Sequence, residues 1–255
     1  MFKKMSYRSQ KNTSVLSRLS LISVFLAFSV SVSAASVKES IGEKLKLINE
    51  NIVIDTLEET PWPGMYEIVL KSGDVLFSDK NAEYLVLGQM FNLSKEKGFI
   101  NLSALKQEKK VAQVLSNYGV DKQIVYAAKG EQKAEISVFT DITCFYCQKL
   151  HKAVPELQES GVTVKYMAFP RAGEHSDVAQ QMSAIWCAKD PAQALTDAKQ
   201  KGKIATTKCD SPVGEQYLLA QQLGVNATPT IFTENGKKIA GFASAQDLLN
   251  SLGIN

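Results

Sequence analysis

The chain has 255 residues, 45% hydrophobic and 22% charged, with a formal net charge of +3 and only four cysteines and two histidines. That is ordinary globular composition at a length suited to two domains. Residues 1–35 carry Lys3, Lys4, Arg8, Lys11 and Arg18 and no acid, so the rest of the chain is close to neutral. A near-neutral body without a basic stripe argues against a nucleic-acid partner.

In chain order, the basic start is followed by LSLISVFLAFSVSV and the small residues VSAAS. This is the pattern of a cleaved signal peptide over residues 1–35, which predicts export to an oxidising compartment. From Ser36, apolar residues at 37, 41, 45 and 48 predict an amphipathic helix. NIVIDTL, YEIVLKSG, DVLFSD and EYLVLGQMFNL read as strands, the first two parted by Pro61-Trp62-Pro63-Gly64. Residues 36–99 thus form one helix plus antiparallel strands. So small a block buries little of its own surface, and pairing with a second copy is one way to complete its burial.

LSALKQEKKVAQVLSNYG has helical spacing, many charges and Gly119 at its end. It predicts a partly solvated helix within a 100–124 connector. From 125 to 255 strands and helices alternate. EISVFT is a strand and CFYCQKLHKAV a helix interrupted at Pro155. VTVKYMAF is a strand, and DVAQQMSAIWCAKD and GEQYLLAQQLGV are helical. TPTIFT and KKIAGF flank an Asn235-Gly236 turn, and SAQDLLNSLG closes the chain as a helix. The order predicts an α/β domain on a mixed sheet.

Cys144 and Cys147 stand where the first strand of that domain meets its first helix. Unpaired N–H groups and the helix dipole favour an anion there, so Cys144 is predicted to ionise readily. Cys147, one turn deeper, can resolve a mixed disulfide formed on Cys144. Thr143 is a candidate N-cap. Zinc would need a second close ligand pair, and haem attachment a histidine at the Gln148 position. A purely structural bond in so small a ring gains little chain entropy.

Thr228-Pro229 precedes a strand, where a cis-proline loop could lie against the cysteines and offer backbone groups to an extended client. Cys187 and Cys209 are 22 residues apart. Bonded, they would contribute about 3 kcal/mol by chain entropy. A second redox pair is the alternative, although neither follows a strand at a helix start. Phe145 and Tyr146 are candidate grips for apolar polypeptide. His151 is expected to be a surface or packing residue. Asp141 either tunes the cysteines or is simply solvated.

FTDITCFYCQKLH, KYMAFPR, AIWCAKD, Cys209 and QLGVNATPT, in that order, resemble the DsbC family of bacterial periplasmic disulfide isomerases. The resemblance implies a V-shaped homodimer of combined α+β and α/β class. Each subunit would have a cystatin-like, helix-plus-antiparallel-sheet N-terminal dimerisation domain (36–99) and a linker helix. A thioredoxin-like catalytic domain with a helical insertion (125–255) would follow. It implies Cys144 as nucleophile, Cys147 as its partner, Thr228-Pro229 as the cis-proline loop and Cys187–Cys209 as a structural disulfide. It implies no metal or organic cofactor, misfolded disulfide-containing exported proteins as clients, and a membrane thiol reductant of the DsbD type. The family commonly carries Gly-Tyr between the cysteines; Phe145-Tyr146 here alters redox poise and access. A reductase dedicated to a secretion or conjugation apparatus, or a holdase chaperone without redox turnover, are the rival readings.

Overall fold

The computed structural model describes residues 29–94 and 98–254, residues 29–36 by backbone only. The predicted signal peptide lies largely outside the described residues. The chain divides into two compact units between Gly88 and Gln89.

In the first unit α1 (Ser29–Ile48) precedes an antiparallel sheet of β1 (Ile54–Glu59), β2 (Met65–Leu70), β3 (Val75–Asp79) and β4 (Leu85–Leu87), in that spatial order. Ile41 and Leu45, one turn apart on one helix face, pack on Ile68, Leu70 and Leu76 of the sheet. Ile48, the last residue of α1, is exposed instead of continuing the buried stripe. The predicted strand EYLVLGQMFNL breaks at Gly88, whose φ of +154° suits a residue without a Cβ. Its second half pairs elsewhere, β5 (Phe91–Asn92) with β6 (Ile100–Asn101).

The second unit continues with α2 (Leu102–Asn117), capped by the Asn101 side chain on the Ala104 N–H. Gly119 follows the C-cap residue Tyr118 but has φ −55°, so it does not form the left-handed stop its position suggests. A five-stranded sheet has the order β11 (Lys238–Ala240), β10 (Thr230–Thr233), β8 (Ala134–Thr140), β9 (Val162–Ala168), β7 (Ile124–Tyr126). Only β8 and β9 are parallel, so the sheet is mixed. Alternation along the strands builds two cores. Ile136, Val138, Val164, Tyr166 and Ile231 face one core, shared with α3 (Phe145–Lys152), α4 (Val154–Glu159), α5 (Asp177–Trp186), α6 (Pro191–Lys201) and α8 (Ala245–Leu252). Phe139, Met167 and Phe232 face the other, shared with Val111 of α2 and Ala220 of α7 (Val213–Gln222). Pro155 marks a restart: α3 ends at Lys152 and α4 begins two residues later with the proline in its first turn, where a missing N–H costs nothing.

Helix α6 is absent from the sequence reading, because its apolar positions are few. Its boundary signals are nonetheless written in the chain. Asp190 accepts the Gln193 N–H as N-cap, Pro191 occupies the first turn, and Gly202 ends it with φ +65°.

Candidate active site

β8 ends at Thr140 in the middle of the sheet, and the chain turns over Asp141 and Thr143 into α3. The N-cap of α3 is Cys144 itself, not Thr143. Its Sγ accepts the backbone N–H of Cys147 at 3.3 Å. The Thr143 hydroxyl is occupied elsewhere, donating to Asp141 Oδ1 at 2.6 Å.

The peptide bond between Thr228 and Pro229 is cis. It sits at the entry to β10, which pairs with β8, so the sheet carries the loop to the first cysteine. The Cys144 thiol donates to the Thr228 carbonyl at 3.3 Å. Thr228 Oγ1 is buried without a hydrogen-bond partner. Burial of Cys144 opposes ionisation. The Thr228 and Cys147 side chains, the Cys147 N–H and the Arg171 guanidinium outweigh it, and the thiol is held below its ordinary range. For Cys147 the balance is reversed. Burial pushes its thiol up, more than the charge of Lys199 and hydrogen bonds from the Asp141 backbone and the Thr140 side chain pull it down. The two sulfurs therefore differ in the direction an attacking and a resolving thiol require.

Cys144 is only 3% exposed, whereas Phe145 and Tyr146 are 70% and 54% exposed. The two rings meet edge to face at 5.4 Å, and Tyr146 lies 6.2 Å from the Phe242 ring. An aromatic surface thus borders a recessed sulfur.

Asp141 is buried, which rules out the solvated reading. Burial would raise its carboxyl pKa. Hydrogen bonds from the Thr143 hydroxyl and from the N–H groups of Arg171 and Thr143, with the Arg171 charge, hold it below the usual range instead. Arg171 Nε lies 3.3 Å from Asp141 Oδ2, and its guanidinium reaches Thr143 Oγ1 at 3.4 Å. His151 is likewise no surface residue. Its Nδ1 lies 3.2 Å from Tyr166 Oη and its Nε2 3.1 Å from Thr196 Oγ1. Burial first, and then Lys199, lower its pKa to about 3, so the ring is neutral and serves packing.

Cys187, the C-cap of α5, is bonded to Cys209, with their Cα atoms 5.6 Å apart. This pair lines a surface pocket with Gln180, Ile204 and Thr206, on elements separate from the Cys144 loop. Three residues at the site escaped sequence reading: Thr140, Arg171 and Lys199. Each lies on a different element from the others, and no local pattern marks a residue whose role comes from a neighbour distant in sequence.

A mixed sheet, a Cys-x-x-Cys at the N-terminus of the helix after its central strand, and an adjoining cis-proline loop define a thioredoxin-like protein. Residues 120–253 match the thioredoxin-like domain, and residues 30–104 match the disulfide bond isomerase protein N-terminal domain. The thiol:disulfide interchange protein DsbC of Haemophilus influenzae is 35% identical over 229 residues, covering 90% of this chain and 96% of that one. The protein of the same name from Pasteurella multocida is 38% identical over 196 residues, covering 77% and 83%. A solved disulfide interchange protein from Neisseria gonorrhoeae is 34% identical, with a TM-score of 0.48, covering 53% of this chain and 96% of that one. The chain belongs to the DsbC family of thiol:disulfide interchange proteins.

Proposed function

We propose that this enzyme isomerises, and secondarily reduces, non-native disulfides in exported proteins of the periplasm, with Cys144 as the attacking sulfur. The observation that carries the reading is the seat of Cys144. It caps α3, receives the Cys147 N–H at 3.3 Å and lies beside the Thr228-Pro229 loop. The thiolate of Cys144 attacks one sulfur of a client disulfide. A new Cys144–client bond forms, and the other client sulfur leaves with the electron pair. If that thiolate or another client cysteine attacks the mixed disulfide, the client is rearranged and Cys144 is regenerated. If Cys147 attacks, the client leaves reduced and the Cys144–Cys147 bond forms. A membrane thiol reductant of the DsbD type would then restore the pair.

Phe145, Tyr146 and the backbone at Thr228 and Pro229 hold the client in this reading. The rings supply apolar contact and the cis-proline loop supplies strand-like hydrogen bonding. The Cys187–Cys209 bond is structural. Residues 36–99 form the dimerisation domain, with 100–124 as linker and 125–255 as catalytic domain. In support, β4 is an edge strand of its sheet, and Tyr84, Leu85, Val86 and Leu87 are all exposed on or beside it. An apolar edge of that kind is a template for pairing with a second copy.

The test is reactivation of scrambled ribonuclease, with sedimentation of the same samples. Wild type should be dimeric and active, Cys144→Ser inactive, and Val86→Lys monomeric with impaired isomerisation. If wild type reduces small disulfides but fails to reactivate ribonuclease, the enzyme is a dedicated reductase. If Cys144→Ser retains the only measurable activity, suppression of client aggregation, the protein is a holdase.

A further inference from the structure

Lys199 is the one lysine among the described residues whose ammonium is buried in the core of the catalytic unit. It projects from α6, which packs against α3. Its Nζ donates to Thr140 Oγ1 at 2.8 Å and to the Asp141 carbonyl at 3.3 Å, and lies 5.8 Å from the centre of the Tyr166 ring. An ammonium can only donate, so Thr140 Oγ1 must accept from it. The Thr140 hydroxyl, so held, and the Lys199 charge both favour the Cys147 thiolate against its burial. The Asp141 backbone acts on that thiol in the same direction. Ammonium, hydroxyl and backbone thus act together on the buried Cys147.

We propose that Lys199 is a positioning residue for the resolving step, acting through Thr140 to stabilise the thiolate that Cys147 must become. The inference rests on the assignment of Cys147 as the resolving thiol. In that step Cys147 gives up its proton, which the departing client sulfur ultimately takes up, and its sulfur bonds to Cys144. The Cys144–client bond breaks, and the client sulfur departs with the electron pair and takes up a proton. Lys199 keeps its own proton throughout. The need for such a residue is physical. Cys147 is fully buried, and a sulfur anion cut off from water must be stabilised by fixed donors and charge instead.

The other ionisable groups around the ammonium fit this role. The Asp141 carboxylate is hydrogen-bonded to Thr143 and Arg171 and acts on Lys199 through space, while its carbonyl accepts from the ammonium. His151 is neutral, and the Tyr166 phenol is kept protonated by burial. Among the groups whose negative charge would answer the buried ammonium, Cys147 comes first, ahead of Asp141 and Cys144. Burial lowers the Lys199 pKa to about 8, offset in part by Cys147, Asp141 and Cys144, so the ammonium remains the main form at neutral pH.

The test uses the full chain. In a Cys144→Ser background, thiolate ultraviolet absorbance is followed against pH, so that Cys147 is the only free thiol titrating. With Cys144 present, a preformed mixed disulfide with a cysteine peptide is used to time peptide release. Lys199→Met, close in shape and apolar, should move the Cys147 midpoint up by about one unit or more. Release at neutral pH should slow by roughly threefold per unit, because a smaller thiolate fraction outweighs the gain in nucleophilicity. Thr140→Val should move both readouts in the same direction, and it carries the test alone if Lys199→Met does not fold. An unmoved midpoint in a variant that melts cooperatively overturns the proposal. Cys147→Ser separates the two assignments. If it releases peptide as fast as wild type, Cys147 is not the resolving thiol. If it traps the peptide while Lys199→Met behaves as wild type, only the role of Lys199 falls.

Discussion

The Sγ of Cys144 lies 3.3 Å from the carbonyl oxygen of Thr228, 84 residues further along the chain. The contact joins the start of α3 to the loop that enters β10, and pairing of β10 with β8 holds it in place. A client strand laid along that loop would bring its own disulfide to the same sulfur.

Alkylation of Cys144 should therefore be slow in absolute terms and early in pH. Its rate should rise to a plateau with a midpoint below the value of about 8.5 for a free thiol. The plateau should lie under that of a small-molecule thiolate, because the residue is 3% exposed. Phe145→Gly should raise the plateau by opening the approach. Reactivity in a Cys147→Ser background, followed by mass spectrometry, checks both statements. A midpoint at or above the free-thiol value would remove the physical basis for the nucleophile.

Asp141→Asn should destabilise the second unit by about 2 kcal/mol in urea unfolding. It breaks an ion pair and weakens charge-assisted bonds to Thr143 and Arg171. The figure is kept below that of a fully buried pair because the Arg171 side chain is 48% exposed. The folded carboxyl pKa is depressed, so this contribution is present above the unfolded value, near 3.9, and is lost as pH falls through the folded one. The difference between wild type and Asp141→Asn should accordingly shrink in strong acid.

His151 gives a second pH dependence of stability, in a higher window. Its pKa is about 3 when folded, against roughly 6.5 unfolded. Between those values the unfolded chain binds a proton that the folded one refuses. Stability should thus fall on acidification through that range, by up to about 1.4 kcal/mol per pH unit from this residue. His151→Phe should flatten the slope, at some cost in stability from the lost partners of Tyr166 and Thr196. Urea midpoints between pH 4 and 7, on the order of a unit apart, measure it.

Gly236→Ala should be strongly destabilising. The residue has φ +80°, and an added Cβ would overlap the Glu108 carbonyl oxygen and lie 2.7 Å from the Ala112 nitrogen of α2. Neither backbone atom can yield without moving the helix. The left-handed conformation alone costs an alanine about 1 kcal/mol, and displacing α2 should add more than that. Equilibrium unfolding gives the total. Hydrogen exchange at α2 amides tests the cause, since loss of the seat should raise exchange along that helix first.

Much of this enzyme is local and was therefore readable. Strand alternation, the Pro155 restart and the cysteine pair at a strand-to-helix junction follow from the pleat, from a missing donor and from orphan N–H groups. The Asn235-Gly236 turn was read in the same way, with Gly236 supplying the positive φ. Helix α6 went unread although its Asp190 cap, Pro191 and Gly202 all signal it, because a mostly polar segment offers no periodicity to follow. The domain plan follows from the change of pattern along the chain, whereas the resemblance of spaced motifs to a family supplied the client class, which no residue pattern alone specifies.

Burial and partnership were decided only in three dimensions. From the sequence Asp141 could be solvated or tuned, His151 exposed or packed, and Thr143 a cap. The fold buries the first two and assigns the cap to Cys144. Lys199 reads as one more charge on a polar helix until α6 docks on α3 and removes its ammonium from water. The physical reason is common to all four. Backbone preferences act over a few residues, but the electrostatic environment of a side chain is set by whatever the sheet and helices bring against it.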